Sequence, residues 1–128
     1  MNLFNQIAGK FQDVFATVTL QHVLVLTQMN ARSIYETLLE TGVSEEALAD
    51  MAQANSICGS ARKSTDAKLA QLRGLPGELT FRRGEMAPEF EKVAFNAPLG
   101  VLQPPFQTQF GWHVVLVNQR TGEASAGR

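Results

Sequence analysis

The 128-residue sequence has little cysteine and no long apolar run. Its one cysteine, Cys58, cannot form an intramolecular disulfide, which excludes a disulfide-stapled secreted domain and favours a reducing compartment. Without a run of eighteen or more apolar residues, no transmembrane helix is predicted. The N-terminus has one early charge, Lys10, and lacks the basic-then-apolar layout of a signal peptide. We therefore expect a cytoplasmic protein, or one inside a plastid or mitochondrion if a transit peptide has been removed.

An excess of charge of one sign is also lacking, since the formal net charge is -1. This balance gives no support to a nucleic acid or an anionic membrane as partner. Residues 62–83 depart from this balance, because they contain six basic residues and only two acidic ones, Asp66 and Glu78. A solvated loop is the simpler interpretation, and attraction of an acidic ligand is the alternative. The basic residues are Arg62, Lys63, Lys68, Arg73, Arg82 and Arg83.

What the chain does have is enough apolar sequence for one domain, with 45% hydrophobic and 18% charged residues. We place this domain at residues 18–120. Residues 1–17 ahead of it carry apolar side chains at helical spacing, which predicts an amphipathic helix that packs on the domain or docks onto a partner. Residues 121–128 are small and polar, which predicts a flexible tail. The apolar residues of the N-terminal helix are Leu3, Phe4, Ile7, Ala8, Phe11, Val14 and Phe15.

Within the domain, the patterns predict helices mixed with a few strands. β-Branched and aliphatic residues indicate an opening strand at 17–26 and a closing strand at 112–118. Two prolines restrict any strand near Phe106 to an edge or interrupted one. Residues 55–76 have the pattern of a loop that includes a short helical turn at 67–72. This arrangement predicts an α+β domain. Its helices are expected at 33–40, 45–54 and 88–95.

The candidate chemical residues are the two histidines and the cysteine. His22 and His113 lie on strand-like segments and are able to face each other. A metal site usually needs three or four ligands, and nothing else in the sequence has ligand-like spacing, so no metal is expected. A nucleophilic pair of Cys58 with a histidine is conceivable, but its surroundings carry no recognised nucleophile motif. On the residues alone, hydrogen-bonded core histidines are the favoured interpretation.

Five separated strings, taken together and in order, resemble the parvulin type of peptidyl-prolyl cis/trans isomerase (PPIase). The resemblance extends from about Thr19 to Arg120. It is closest to the small, single-domain bacterial type rather than the phosphoprotein-specific branch. The strings are Gln21-His-Val-Leu-Val25, Asn55-Ser-Ile-Cys58, Gly77-Glu-Leu79, Arg83-Gly-Glu-Met-Ala-Pro-Glu-Phe90 and Thr108-Gln-Phe-Gly-Trp-His113.

The resemblance implies an FKBP-like, four-stranded antiparallel sheet wrapped by about four helices. It also implies an enzyme that needs no cofactor, isomerises X-Pro bonds of protein substrates without a covalent intermediate, and aids protein folding. Carried over position by position, it implies two groups of site residues. The catalytic group is His22, Cys58, Thr108 and His113, and the substrate-binding group is Leu79, Met86, Phe90 and Phe110.

Two segments depart from the family pattern. The glycine turn that usually precedes the Gly-Asp-Leu string is replaced by residues 64–76, so the loop at 62–83 is atypical. The phosphoprotein-specific branch uses a cluster of basic residues in the connection between the first strand and the first helix. Here that connection, residues 26–32, has only one basic residue, Arg32, so specificity for phospho-Ser/Thr-Pro is not expected. The altered loop keeps a second hypothesis open, in which the domain has lost turnover and serves as a chaperone module or as an accessory subunit of a larger assembly.

Overall fold

The computed structural model describes residues 16–58 and 75–122 of the chain. Four strands and three helices lie in these two segments. Their bounds are β1 Thr17–Val25, α1 Gln28–Thr41, α2 Glu45–Asn55, β2 Glu78–Arg82, α3 Pro88–Asn96, β3 Phe106–Thr108 and β4 Gly111–Thr121. None of the three helices is long and apolar enough to cross a membrane.

The strands form one antiparallel sheet in the order β2-β1-β4-β3. The two long strands, β1 and β4, lie in the centre because their aliphatic residues are buried on both faces of the sheet. Their register places Leu24 opposite His113 and Val25 opposite Trp112. The α+β class and the four-stranded antiparallel sheet are therefore confirmed.

The two faces of the sheet are covered by different helices. Since successive side chains of a strand project to opposite faces, Val23 and Val25 of β1 pack with α1 and α2, whereas Val18 and Leu20 pack with α3. His22 is two residues beyond Leu20 and shares its face. The histidine is thereby placed between the sheet and α3.

Two elements differ from their sequence-based predictions. Helix α1 begins at Gln28 instead of residue 33, because the Thr27 side chain accepts a hydrogen bond from the Asn30 N–H and caps a helix that starts directly after β1. Most of the segment expected as a loop at 26–32 is thus helix. Strand β2 was not predicted from the residue pattern, although the resemblance implied a fourth strand. Its alternation is weak, with only Phe81 fully buried.

Several predictions concern residues outside the described segments. Of the predicted amphipathic helix at 1–17, residues 1–15 lie outside the described segments. The predicted helical turn at 67–72 and residues 123–128 of the predicted tail lie outside them too. At their borders, Thr17 begins β1 and Thr121 ends β4. The atypical loop lies outside them up to residue 74, and its last part is strand β2.

Candidate active site

The two histidines meet on the α3 face of the sheet. His22 comes from β1 and His113 from the neighbouring β4, and both are almost completely buried. Their Nδ1 atoms are 3.4 Å apart and their rings are stacked, with centroids 5.6 Å apart. The pairing expected from the sequence is thus present as a direct contact across the sheet.

Burial keeps both rings neutral. Loss of solvation lowers the pKa of His22 from 6.5 to about 4. Burial also lowers the pKa of His113 to about 4, with a smaller contribution from the repulsion of a charged His22. At neutral pH the site therefore offers two uncharged imidazoles, each with one donor and one acceptor nitrogen.

Thr108 links the histidine pair to the β3–β4 turn. Its buried hydroxyl lies 2.7 Å from His113 Nε2 and accepts a hydrogen bond from the Phe110 N–H. A hydroxyl can accept and donate at the same time, so the Thr108 proton is available to His113 Nε2 in the tautomer that leaves this nitrogen unprotonated. His113 can then donate from Nδ1 to His22. Hydrogen-bond contacts thus connect the turn, through Thr108 and His113, to the histidine on β1.

An aromatic floor supports the pair. Phe90 of α3 is only 2% exposed and presents its ring edge-on to both histidines, at centroid distances of 5.5 Å and 5.0 Å. Phe106 stacks on His113 at 5.2 Å, and Phe81 contacts Phe90 from β2. The predicted substrate-binding Phe90 therefore lies beneath the histidines as part of the core in this structure.

Cys58 is positioned through the backbone of β1. The Ser56 hydroxyl accepts hydrogen bonds from the N–H groups of both Leu24 and Cys58, at 3.0 Å and 3.3 Å. The following N–H, that of Ile57, donates to the Leu24 carbonyl. This segment lies along the edge of β1, and Cys58 is half-buried there.

Gly77 lies along the same edge, next to His22. Its carbonyl accepts the His22 N–H at 3.0 Å. Gly77 has a φ of +84°, and a Cβ at this position would lie 2.7 Å from the His22 carbonyl oxygen. Only glycine allows the chain to pass this close to the strand.

The predicted pocket residues Leu79 and Met86 are half-buried and pack against the buried apolar residues between the sheet and α3. Leu79 lies opposite Leu20 in the β1–β2 pairing. Met86 is held by the carboxylate of Glu91, whose two oxygens accept the N–H groups of Gly84 and Met86 at 2.9 Å and 2.8 Å. Sequence reasoning missed this carboxylate because a glutamate in the first turn of a helix is ordinarily read as a favourable dipole contact.

The structure therefore brings His113 and Phe90 into direct contact with His22, and it joins Thr108 to this group through His113. Phe110 borders the group through its N–H, with 60% of its side chain exposed. Five residues that the structure places at the site had been given no role there: Ser56 and Gly77, which belong to the strings that resemble the family, and Phe81, Glu91 and Phe106. Of these, Phe106 had a usable signal, since it is two residues before Thr108 and shares its strand face.

Other chemical sites find less support in the described residues. Histidine, cysteine and carboxylate side chains form no group of three or more there that could hold a metal ion. Arg83, from the basic segment, packs its guanidinium over the Phe95 ring at 4.1 Å. A groove of about 570 Å³ between α3 and β3 has Val93, Pro98 and Phe106 among its walls.

Known proteins are similar to this chain in sequence and in fold. The Foldase protein PrsA of Caldanaerobacter subterraneus subsp. tengcongensis is 31% identical over 104 residues, covering 81% of this chain and 29% of the relative. The Parvulin-like PPIase of Rickettsia felis is 30% identical over 104 residues, covering 80% and 33%. The chain thus spans about a third of the length of these curated relatives. The solution structure of NmPin, the parvulin of Nitrosopumilus maritimus, covers 80% of this chain and 96% of its own, with 26% identity and a TM-score of 0.56.

The sheet, its helices and the paired strand histidines define a domain of the parvulin class. A match to the family described as Rotamase, PPIC-type PPIASE domain, extends over residues 22–119. The chain belongs to this PPIC-type PPIase family.

Proposed function

We propose that the domain catalyses cis/trans isomerisation of X-Pro bonds in protein substrates and thereby aids protein folding. The observation that carries the proposal is the neutral, hydrogen-bonded pair of His22 and His113 above Phe90, within the segment that matches the family. Its substrates are polypeptides that expose proline.

The chemistry of the site suits this reaction. An X-Pro bond isomerises in tens to hundreds of seconds because rotation breaks the amide resonance. No nucleophile is needed to lower that barrier, since an enzyme only has to bind the twisted amide better than the planar one. The twisted amide is less dipolar, so surroundings without charge disfavour it less than the planar form. Neutral histidines provide such surroundings.

Each proposed site residue has a role in this scheme. Met86 and Leu79 hold the proline ring, with Phe90 as the support beneath it and Phe110 completing the wall at the side of the β3–β4 turn. Methionine adapts its shape to the bound ring. His22, His113 and Thr108 fix the polarity of the site through their hydrogen bonds. Cys58 borders it from the β1 edge and acts without forming a covalent bond.

Exchange spectroscopy on short X-Pro peptides tests the proposal. At micromolar concentration the parent protein should accelerate interconversion, and His22→Ala and Met86→Ala should each lower kcat/KM. Leu39→Ala is a matched control, since Leu39 is exposed on α1 and should not affect turnover. If the folded parent protein does not accelerate cis/trans interconversion of these peptides, the proposed isomerase activity is ruled out.

A second candidate function is a binding module that holds unfolded chains without turnover. The Phe110 side chain is 60% exposed beside the hydrogen-bonded histidines, which favours binding of apolar segments of an unfolded chain. The similarity to a foldase fits either function. This candidate would be supported if the parent protein keeps a chemically unfolded protein in solution and yet does not accelerate exchange of the X-Pro peptides.

We also propose that residues 1–17 dock onto a larger assembly or onto the domain itself. Their apolar residues at helical spacing support this by helix-in-groove recognition. Because Ala16 is buried and Thr17 begins β1, the test deletion should end at residue 15. Size-exclusion chromatography of the deletion beside the parent should show a changed partner or oligomeric state, and an unchanged profile would leave self-packing.

For the compartment, we propose the cytoplasm, or the interior of a plastid or mitochondrion. The support is the single cysteine, which suits a reducing environment. Immunodetection of the endogenous protein in cell fractions tests the assignment, and detection only in an oxidising compartment would refute it.

A further inference from the structure

Three large apolar side chains are exposed at the end of the sheet beyond the histidine pair. They are Leu26, Ile57 and Phe110, with 71%, 53% and 60% of each side chain accessible, and we call them the apolar rim. We propose that the apolar rim is a second binding site for the substrate chain, which holds a large apolar side chain several residues away from the isomerised proline. This inference rests on the proposed isomerase function, because it extends the same site.

The apolar rim is continuous with the candidate active site. Leu26 directly follows β1, four residues after His22. Ile57 joins the same end of the strand, since its N–H donates to the Leu24 carbonyl at 2.8 Å. Phe110 belongs to the turn before Gly111, where a Cβ would lie 2.6 Å from the Val25 carbonyl oxygen. Because Phe110 also completes the wall of the proline pocket in the proposed function, it connects the pocket to Leu26 and Ile57. All three residues therefore surround the final two residues of one strand.

The spacing sets where on the substrate the rim acts. A strand rises about 3.3 Å per residue, so Leu26 lies about 13 Å along the chain direction from His22. Leu79, a proposed wall of the proline pocket, pairs with Leu20 and lies toward the opposite end of β1. An extended substrate has a similar rise per residue. The rim should meet a side chain about three to five residues from the proline.

The chemistry of the rim indicates the class of ligand. Its three members are uncharged, and all three are exposed at the same end of β1. An apolar side chain of the substrate would cover them and remove apolar surface from water. Folded proteins bury such side chains, whereas unfolded chains expose them close to proline. The rim therefore favours unfolded polypeptides with a leucine or phenylalanine at a distance from the proline.

The test is exchange spectroscopy on a peptide series. Each peptide has one Ala-Pro bond in a glycine-serine background, with a single leucine placed one to six residues before or after the proline. For the parent we expect kcat/KM to rise about fivefold when the leucine is three to five residues away on one side. Leu26→Ser should reduce this ratio to about one. Leu39→Ser, an exposed leucine of α1 replaced in the same way, should keep the parent ratio.

The outcomes separate the rim from the isomerase function. Turnover that is equal for all leucine positions would overturn the rim and leave the isomerase intact. If no peptide exchanges, the proposed function fails, and the rim is then decided by peptide affinity from methyl NMR titration. A fivefold lower Kd for the leucine peptide, lost in Leu26→Ser, supports it, and equal Kd values overturn it. A change of the sedimentation mass in Leu26→Ser without any change of these ratios would make the rim a self-association surface and refute the proposal.

Discussion

Acidification should destabilise the fold through the buried histidine pair. In the folded protein the pKa of each histidine is about 4, whereas the unfolded chain has the ordinary value of 6.5. The unfolded state therefore binds more protons between these two values, and the stability gained from neutral rings is lost as the pH falls below 6.5. Going from pH 7.5 to pH 5 should cost about 2 kcal/mol for one histidine and up to about 4 kcal/mol for the pair.

This loss is a substantial fraction of the roughly 5–15 kcal/mol by which a typical domain is stable. Urea unfolding at a series of pH values measures it directly. Since the sequence has only two histidines, His113→Gln leaves His22 as the only imidazole, and the slope of stability against pH should fall to about half. Glu78, whose pKa is raised by burial and by Glu45, changes stability in the opposite direction. It is present in both proteins, so its contribution cancels from the comparison.

The same samples give an independent test by NMR. The ring protons of both histidines should keep the shifts of neutral imidazole down to about pH 5, because the pKa values lie near 4. Titration of either ring near pH 6.5 in the folded protein would refute the argument, and so would a stability that is flat from pH 7.5 to pH 5.

Three further substitutions test the supports of the site. Thr108→Val removes the hydroxyl that serves His113 and the Phe110 N–H, and should lower stability by about 1–3 kcal/mol in urea unfolding. Glu91→Gln weakens the clamp on the turn that holds Met86, so we expect a higher KM at nearly constant kcat, whereas the exposed Glu89→Gln should match the parent. Gly77→Ala should cost more than 2 kcal/mol, since its Cβ meets the His22 carbonyl. Gly84→Ala, with a similar positive φ but nothing within 4 Å, should cost only about 1 kcal/mol, and equal losses for the two would contradict the steric argument.

The sequence predicted the central strands well because their signal is local. β-Branched and aliphatic runs form β1 and β4, and the proline at the first position of α3 marks its start. The start of α1 was missed because its cap is a threonine without an acidic first turn. Strand β2 was missed because one face is exposed and a single residue, Phe81, is fully buried. Its place depends on pairing with β1, which a local pattern does not encode.

The residues of the site also divide into those that the sequence indicated and those that only the folded structure reveals. The histidine pair and Thr108 followed from strings that resemble the family, and their contacts are present in the structure. The support by Glu91 and the close approach of Gly77 depend on the path of the chain in space, so spacing along the sequence could not reveal them. The burial of Phe90 has the same origin, because residues from all four strands contact its ring.

The central claim is that an X-Pro bond isomerises while its proline lies against Met86 and above the histidine pair. One sample tests it, in which an X-Pro peptide is titrated onto protein labelled at its methionine methyl groups. The account predicts exchange cross-peaks between the cis and trans peptide at substoichiometric protein, together with a saturable shift of the Met86 methyl that Met86→Leu identifies by its loss. Exchange without any shift of that methyl, or a shift without exchange, would contradict it.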